Sequence, residues 1–186
     1  LVMDVKYGNG AYLTDYGAAK ALAQSIVTVA NKAGLKTIAH LTDMNQVLGH
    51  EAGNALEVAE CVAWMKGGKR VNARLRDVTL TLAAEMAVAA GLASSVESAR
   101  AHCDKLLAEG QVAERFAAMV KAQGGPADFM EKTADYLPKA PVIRPVPSPR
   151  EGYMGMPDVR GIGIAVINLG GGRTQPGQAI DPAVGF

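Results

Sequence analysis

Short apolar runs alternate with longer amphipathic stretches in the first third of the chain. Residues 1–6 are apolar at most positions and lead into the turn signal Gly8-Asn9-Gly10, which predicts a strand. A helix capped by Thr14 is predicted over residues 15–33, and residues 36–41 predict a second strand. A further helix follows. This order predicts parallel βαβ units in an α/β domain, with loops at the carboxyl ends of the strands.

Helical periodicity continues through most of residues 54–123. Asn54 and Glu57 resemble a capping box, and Ser94 with Glu97 opens a later helix. Two helices have apolar positions on one predicted face, namely Leu22, Ile26, Val29 and Ala33 in the first, and Leu75, Val78, Leu82, Met86 and Ala89 in the other.

The character of the chain changes near its last quarter. Five of the nine prolines lie within residues 138–149, which indicates an extended linker and a domain boundary. Residues 161–169 are apolar at nearly every position, so periodicity does not separate a buried strand from a buried helix. Asp158 could cap a helix there, and three glycines at 170–172 end the segment in either case.

Composition narrows the class of protein. The 186 residues are 49% hydrophobic, and 19 basic against 18 acidic side chains give a net charge of +1. That balance argues against nucleic acid or an anionic membrane as a partner. No apolar run approaches the ~20 residues of a membrane span. Two distant cysteines make no disulfide framework, which favours a reducing cytoplasm. Because the chain opens on apolar Leu1 without a methionine, we interpret it as a fragment.

Polar side chains at the predicted strand ends are the first candidates for chemistry. Asp4 and Lys6 precede the glycine turn where an α/β enzyme places ligand contacts, although they also make an ordinary ion pair. Asp43 follows the second strand and could act as a general acid, although such an aspartate often hydrogen-bonds its own turn.

The turn at residues 48–53 is a candidate cation site. Backbone carbonyls of an irregular turn and a carboxylate from the next helix are hard oxygen ligands, suited to potassium, calcium or magnesium. The alternative is that Glu57 caps the helix while Glu60 faces solvent.

Several segments together resemble the pyrimidine nucleoside phosphorylases. They occur in that family's order along the whole chain: Asp4-Val5-Lys6-Tyr7-Gly8-Asn9-Gly10-Ala11, Leu41-Thr42-Asp43-Met44-Asn45-Gln46-Val47-Leu48, Ala52-Gly53-Asn54-Ala55-Leu56-Glu57-Val58, Asp77-Val78-Thr79-Leu80, Leu137-Pro138, Gly170-Gly171-Gly172-Arg173 and Val184-Gly185-Phe186. The resemblance implies the later part of the family's α/β lobe over residues 1–137, a linker over 138–150, and the start of an α+β C-terminal domain over 151–186. It also favours a helix over residues 159–169.

The resemblance also implies a reaction and its partners. Family members exchange phosphate for the base of thymidine or deoxyuridine, giving the base and 2-deoxyribose 1-phosphate. They use no organic cofactor, take phosphate as co-substrate and form homodimers. The family's phosphate- and pyrimidine-binding residues precede the segment matched here, so we expect the isolated 186 residues to be inactive.

The site residues implied by the resemblance are few. A structural potassium ion would be held by the carbonyls of Leu48 and Glu51 and by the side chain of Glu60. Asp43 matches a position proposed as proton donor to the leaving base in related nucleoside-monophosphate phosphorylases. Asp4 and Lys6 are expected in the wall of the site.

Three other interpretations stay open. The chain could be a non-catalytic truncated module that binds a partner, or part of a phosphorylase with broader pyrimidine specificity. An enzyme similar to anthranilate phosphoribosyltransferase would share the fold in outline but lack the proline-linked extension.

Overall fold

A computed structural model describes residues 1–68 and 71–186. Two parallel strands, β1 (Val2–Tyr7) and β2 (Ile38–Asp43), pair in a single register from Val2↔Ile38 to Tyr7↔Asp43. The helices are α1 (Tyr16–Lys32), α2 (Asn54–Met65), α3 (Ala73–Ala89), α4 (Val96–Ala108), α5 (Gln111–Ala122), α6 (Thr133–Tyr136) and α7 (Val159–Val166), the last continuing into a π-helical turn at Ile167–Gly171. The predicted α/β class is confirmed. Strand β2 begins and ends two residues later than predicted.

The core between the sheet and α1 is built on small side chains. Val5 packs with Ala19 and Ala23 of α1, and partly buried side chains of both strands surround them. Alanines four residues apart lie on one side of a helix and let its backbone approach the sheet closely. The predicted face of α1 is therefore wrong, since Leu22 and Val29 are 44% and 65% exposed.

The same error affects α3. Its buried residues are Leu80 and Ala84, whereas Met86 of the predicted face is 54% exposed. Alanine contributes little to a pattern of hydrophobic positions, so periodicity does not single it out. Its small side chain nevertheless allows the closest packing, and such a position can therefore become buried.

Helix starts differ from the prediction by one residue. Asp15, not Thr14, caps α1, because its extended backbone lets the carboxylate accept the Ala18 N–H at 2.8 Å. Ser95 rather than Ser94 caps α4 in the same way. Ser94 and Ser95 are identical in type, and only the backbone conformation distinguishes them. Asp15 is also the better capping residue by type than Thr14.

The start of α2 preserves half of the predicted capping box. Gly53 takes the cap position with a φ of 146°, where an added Cβ would lie 2.4 Å from the Val184 carbonyl oxygen. Glu57 reaches back to the start of the helix, as in a capping box, but it accepts the N–H of Gly53 at 3.0 Å and not that of the predicted cap residue Asn54. Asn54 instead donates to the Gly171 carbonyl at 3.2 Å.

The proline-rich segment contains neither helix nor strand over residues 138–148, and every residue from 141 to 156 is exposed. Beyond it, α7 confirms the helical interpretation of the apolar segment. The Asp158 side chain accepts the Gly161 N–H at 2.9 Å, and Gly170, at a φ of 99°, ends the helical run. Within the described residues, none of the helices has the length and apolar character needed to cross a bilayer.

The identity of the α1 cap gives a direct test. We expect Asp15→Ala to lower the free energy of unfolding by about 1 kcal/mol, because the Ala18 N–H loses its acceptor. The matched control Thr14→Ala alters an exposed side chain and should stay within about 0.5 kcal/mol of the parent. Urea unfolding followed by circular dichroism measures both, and a larger loss in Thr14→Ala would reverse the assignment.

Candidate functional site

A cleft of about 720 Å³ opens at the carboxyl ends of the two strands. The loop after β2, the first turns of α2 and one side of α7 surround it. Five of the six residues predicted for the site line this cleft: Lys6, Asp43, Leu48, Glu51 and Glu60. Asp4 does not line the cleft but forms an ion pair with Lys6. Parallel strands end at the same edge of a sheet, which is why residues more than fifty positions apart meet here.

The Lys6 side chain forms hydrogen bonds with two other polar side chains at one end of the cleft. Its Nζ donates to Asp4 Oδ2 at 2.6 Å and to Thr42 Oγ1 at 3.1 Å. The Thr42 hydroxyl donates in turn to the other oxygen of Asp4. Asp4 and Lys6 lie on the same face of β1 because they are two residues apart, and the register places Thr42 opposite Lys6. Asp4 therefore orients Lys6 rather than facing the cleft itself.

The Asp43 carboxylate accepts hydrogen bonds from its own turn. Its Oδ1 accepts the Asn45 backbone N–H at 3.1 Å and also the Asn45 side-chain amide. Its Oδ2 lies 3.7 Å from the Arg74 guanidinium. The same guanidinium donates to the backbone carbonyls of Asp43 and Gln46. These contacts fix the loop that forms one wall of the cleft.

Sequence reasoning missed Arg74. It lies in the first turn of α3, 31 residues from the carbonyl that it contacts. An arginine near the start of a helix carries no local signal for such a contact, since its usual place is in solvent.

Glu60 closes the turn at residues 48–51. Its Oε1 accepts the His50 N–H at 2.8 Å and its Oε2 the Glu51 N–H at 3.4 Å. A Cβ at Gly49 would lie 2.3 Å from Oε2, so glycine there leaves room for the carboxylate.

The turn also fits the chemistry of a cation that prefers oxygen. The carbonyls of Leu48 and Glu51 accept no hydrogen bond from the part of the chain that the structure describes. Free carbonyls beside a carboxylate are ligands suited to a hard cation. By contrast, the described residues contain no cluster of three or more His, Cys, Asp or Glu side chains that could hold a metal ion.

The opposite wall of the cleft is apolar and comes from the C-terminal segment. Val159, Ile162 and Val166 of α7 line the cleft together with the loop after β2. Two backbone hydrogen bonds of 2.9 Å between Ala52 and Phe186 attach the end of this segment beside α2. An apolar wall opposite a few fixed polar groups is the usual composition of a small-molecule pocket. The sequence predicted a buried segment here but not its place beside the cleft.

Cys61 also lines the cleft, and its thiol is sensitive to the nearby carboxylates of Glu57 and Glu60. Partial desolvation of the thiol, and after it the carboxylates of Glu60 and Glu57, raise the pKa of Cys61 above its ordinary value of 9.0. In a Cys103→Ser background, we expect the pH profile of alkylation by iodoacetamide to have its midpoint above 9.0, because the thiolate is the reactive form.

Glu60→Gln should lower that midpoint, since it removes the carboxylate with the larger effect on the Cys61 pKa, and Glu57→Gln should lower it less. Glu97→Gln, in the first turn of α4, is the control that leaves it unchanged. A midpoint that rises or stays constant in Glu60→Gln would contradict this electrostatic assignment.

Comparison with known proteins agrees with this architecture. The model of the glycosyl transferase family, a/b domain, matches residues 1–113, which include β1, β2 and α1 to α4. A thymidine phosphorylase of Colwellia psychrerythraea is 51% identical over all 186 residues, and the chain spans 42% of that relative's length. The family match covers more than half of the chain and contains both strands and the loop of Asp43. The chain therefore belongs to the glycosyl transferase family through its a/b domain.

Proposed function

We propose that this chain forms part of a thymidine phosphorylase, which exchanges phosphate for the base of thymidine or deoxyuridine and releases 2-deoxyribose 1-phosphate. The observation that carries the proposal is the 51% identity to a thymidine phosphorylase over the whole length of the chain. Because the chain spans 42% of that relative, the activity is assigned to the longer protein and not to these residues alone.

The contribution of this chain to the reaction would be positional. Holding phosphate under the anomeric carbon and stabilising the charge that grows on the leaving base lower the barrier without covalent catalysis. Lys6 brings a positive charge to the cleft, held by Asp4 and Thr42. The loop of Asp43 and the apolar side of α7 shape the space. The ligands of phosphate and pyrimidine would come from the rest of the longer protein, so we expect no phosphorolysis from the 186 residues alone.

Asp43 has two candidate roles in this mechanism. As a proton donor it would need to give a proton to the leaving base. The contacts support the other role, because Asn45 donates twice to this carboxylate and Arg74 lies beside it. We propose that Asp43 positions the loop after β2.

A chimeric enzyme tests the function. These 186 residues replace the matching segment of the Colwellia psychrerythraea thymidine phosphorylase, and thymine release is measured with and without phosphate. We expect phosphate-dependent activity within about tenfold of the natural enzyme, a change of at most about 1.4 kcal/mol in the barrier. A chimera with native circular dichroism and normal oligomeric state but no thymine release would contradict the proposal. So would phosphate-dependent thymine release by the isolated chain.

Asp43→Asn in the same chimera separates the two roles. Loss of a general acid costs about 100-fold or more in kcat. An asparagine keeps an oxygen that can accept the Asn45 N–H, so we expect less than a tenfold loss in kcat together with a lower melting temperature. A fall of 100-fold or more at unchanged melting temperature would restore the proton-donor role.

We also propose that the turn at residues 48–51 and Glu60 hold a potassium ion. Two observations support this assignment. The carbonyls of Leu48 and Glu51 accept no hydrogen bond from the described residues. The Glu60 carboxylate lies at the same turn, where it accepts the N–H groups of His50 and Glu51. A bound ion would tie the loop to α2 and stiffen the cleft.

Potassium should therefore stabilise the chain more than sodium at equal ionic strength. At a concentration tenfold above its dissociation constant, a bound ion adds about 1.4 kcal/mol, which corresponds to about 3–5 °C in melting temperature. Glu60→Gln should abolish the difference between the two salts. Glu57→Gln, one turn earlier and also bonded to a loop amide, should keep it. Equal melting temperatures in both salts for the parent chain would remove the ion from the proposal.

Other features of the longer enzyme stay predictions. They are a homodimer, a cytoplasmic location, and division into residues 1–137, 138–150 and 151–186. The second candidate function is a non-catalytic module that binds a partner. It is favoured by the described two-stranded sheet, in which each strand has one paired edge and one free edge.

A further inference from the structure

A series of side-chain amides connects the loop of Asp43 to the start of α7. Asn45 contacts the Asp43 carboxylate, and Asn45 Oδ1 accepts the backbone N–H of Asn9 at 2.9 Å. The Asn9 side chain then contacts the C-terminal segment twice. Its Oδ1 accepts the Val159 N–H at 3.0 Å, and its Nδ2 donates to the Pro157 carbonyl at 3.0 Å.

Glycines on both sides of Asn9 make these contacts possible. Gly8 has a φ of 110°, and a Cβ there would lie 2.8 Å from the side chain of Asn45. A Cβ on Gly10 would lie 2.5 Å from Val159 Cγ1. The loop after β1 therefore approaches both the loop after β2 and α7 at distances that a larger residue would prevent.

The contact satisfies a backbone group that a helix cannot satisfy itself. Val159 is the first residue of α7, and the first N–H groups of a helix have no acceptor within it. Asp158 accepts the Gly161 N–H, which leaves the Val159 N–H to Asn9, 150 residues earlier in the chain.

The chain leading to α7 does little to position the helix. Residues 141–156 are exposed throughout and contain no helix or strand. At the far end of the segment, Asn54 contacts the Gly171 carbonyl and Ala52 pairs with Phe186. Asn9 makes the corresponding attachment at the beginning of α7.

We propose that Asn9, supported by Asn45, is the positioning residue that fixes α7 as the apolar wall of the cleft. The Val159 side chain lies directly against Gly10, so the hydrogen bonds of Asn9 also set the distance between this wall and the loop of Asp43. This inference does not rest on the proposed reaction, because it concerns the geometry of the cleft alone.

Residue-resolved amide hydrogen exchange of the 186-residue chain tests the proposal. Asn9→Ala removes two hydrogen bonds, and we expect the amides of Val159, Gly161 and Ile162 to exchange about 30-fold faster. That ratio corresponds to about 2 kcal/mol at 1.4 kcal/mol per tenfold change. The amides of the β1–β2 pairing should change by less than about threefold.

The chain offers a closely matched control in Asn31. Its side chain likewise donates to a backbone carbonyl and accepts a backbone N–H, those of Thr37, at 2.9 Å and 3.1 Å. Its Nδ2 also donates to the Val27 carbonyl within α1 at 2.8 Å. Asn31→Ala removes the same chemistry from a site between α1 and β2. We expect faster exchange around Thr37 and unchanged exchange in α7.

Asn9→Asp distinguishes positioning from a general loss of stability. It keeps an acceptor for the Val159 N–H and loses the donor to Pro157, so exchange in α7 should return to within about fivefold of the parent. If Asn9→Ala does not fold, this variant decides alone. Three results would overturn the proposal: α7 exchange within threefold of the parent in Asn9→Ala, equal acceleration across β1, α1 and α7, or an Asn9→Asp chain about 30-fold faster in α7.

Discussion

The parallel pairing of β1 with β2 is the constraint on which the cleft depends. Its register places Lys6 opposite Thr42 and Tyr7 opposite Asp43, so both following loops leave the sheet at one edge. The Met44 N–H then donates to the Tyr7 carbonyl at 2.6 Å, and the Gly10 N–H to the Met44 carbonyl at 3.0 Å, which continues the contact beyond the strands. A shift of one residue in this pairing would remove Thr42 from its position opposite Lys6. It would also move every side chain of the shifted strand to the opposite face of the sheet.

Side chains that bind backbone groups hold the irregular parts of this site. Arg74 donates to two carbonyls of the loop after β2, and Glu60 accepts two amides of the turn before α2. Asn54 reaches the Gly171 carbonyl in the same manner. Loops lack the regular pairing that satisfies backbone groups in helices and strands, so side chains from neighbouring helices take that role. Arg74 and Glu60 therefore hold the backbone of the cleft's loops in place, in addition to lying near the site.

The sequence was a good guide to whatever depends on neighbours along the chain. The strands, the helices and the cap at Asp158 follow from residue type and spacing. The return of the Glu57 side chain to the start of α2 does so in part, since its partner is the Gly53 N–H and not that of Asn54. Helix faces were less predictable, because close packing favoured Ala19 and Ala84 over larger apolar residues. The contact of Arg74 and the α7 wall of the cleft join elements far apart in the chain. Their geometry depends on the tertiary arrangement, which no local pattern specifies.

The Lys6 and Asp43 side chains of the cleft already have polar partners, and this bears on which residues could bind substrate in the proposed enzyme. Lys6 has two partners, and both oxygens of Asp43 face donors. In the described part of the chain, every buried side-chain nitrogen or oxygen atom has a hydrogen-bond partner. A ligand with strong polar groups, such as phosphate, needs donors that are free to turn toward it or can exchange partners at low cost. Paired groups of this kind supply shape and a fixed electrostatic field. In the proposed enzyme, the direct ligands of phosphate and base would therefore come from residues outside this chain.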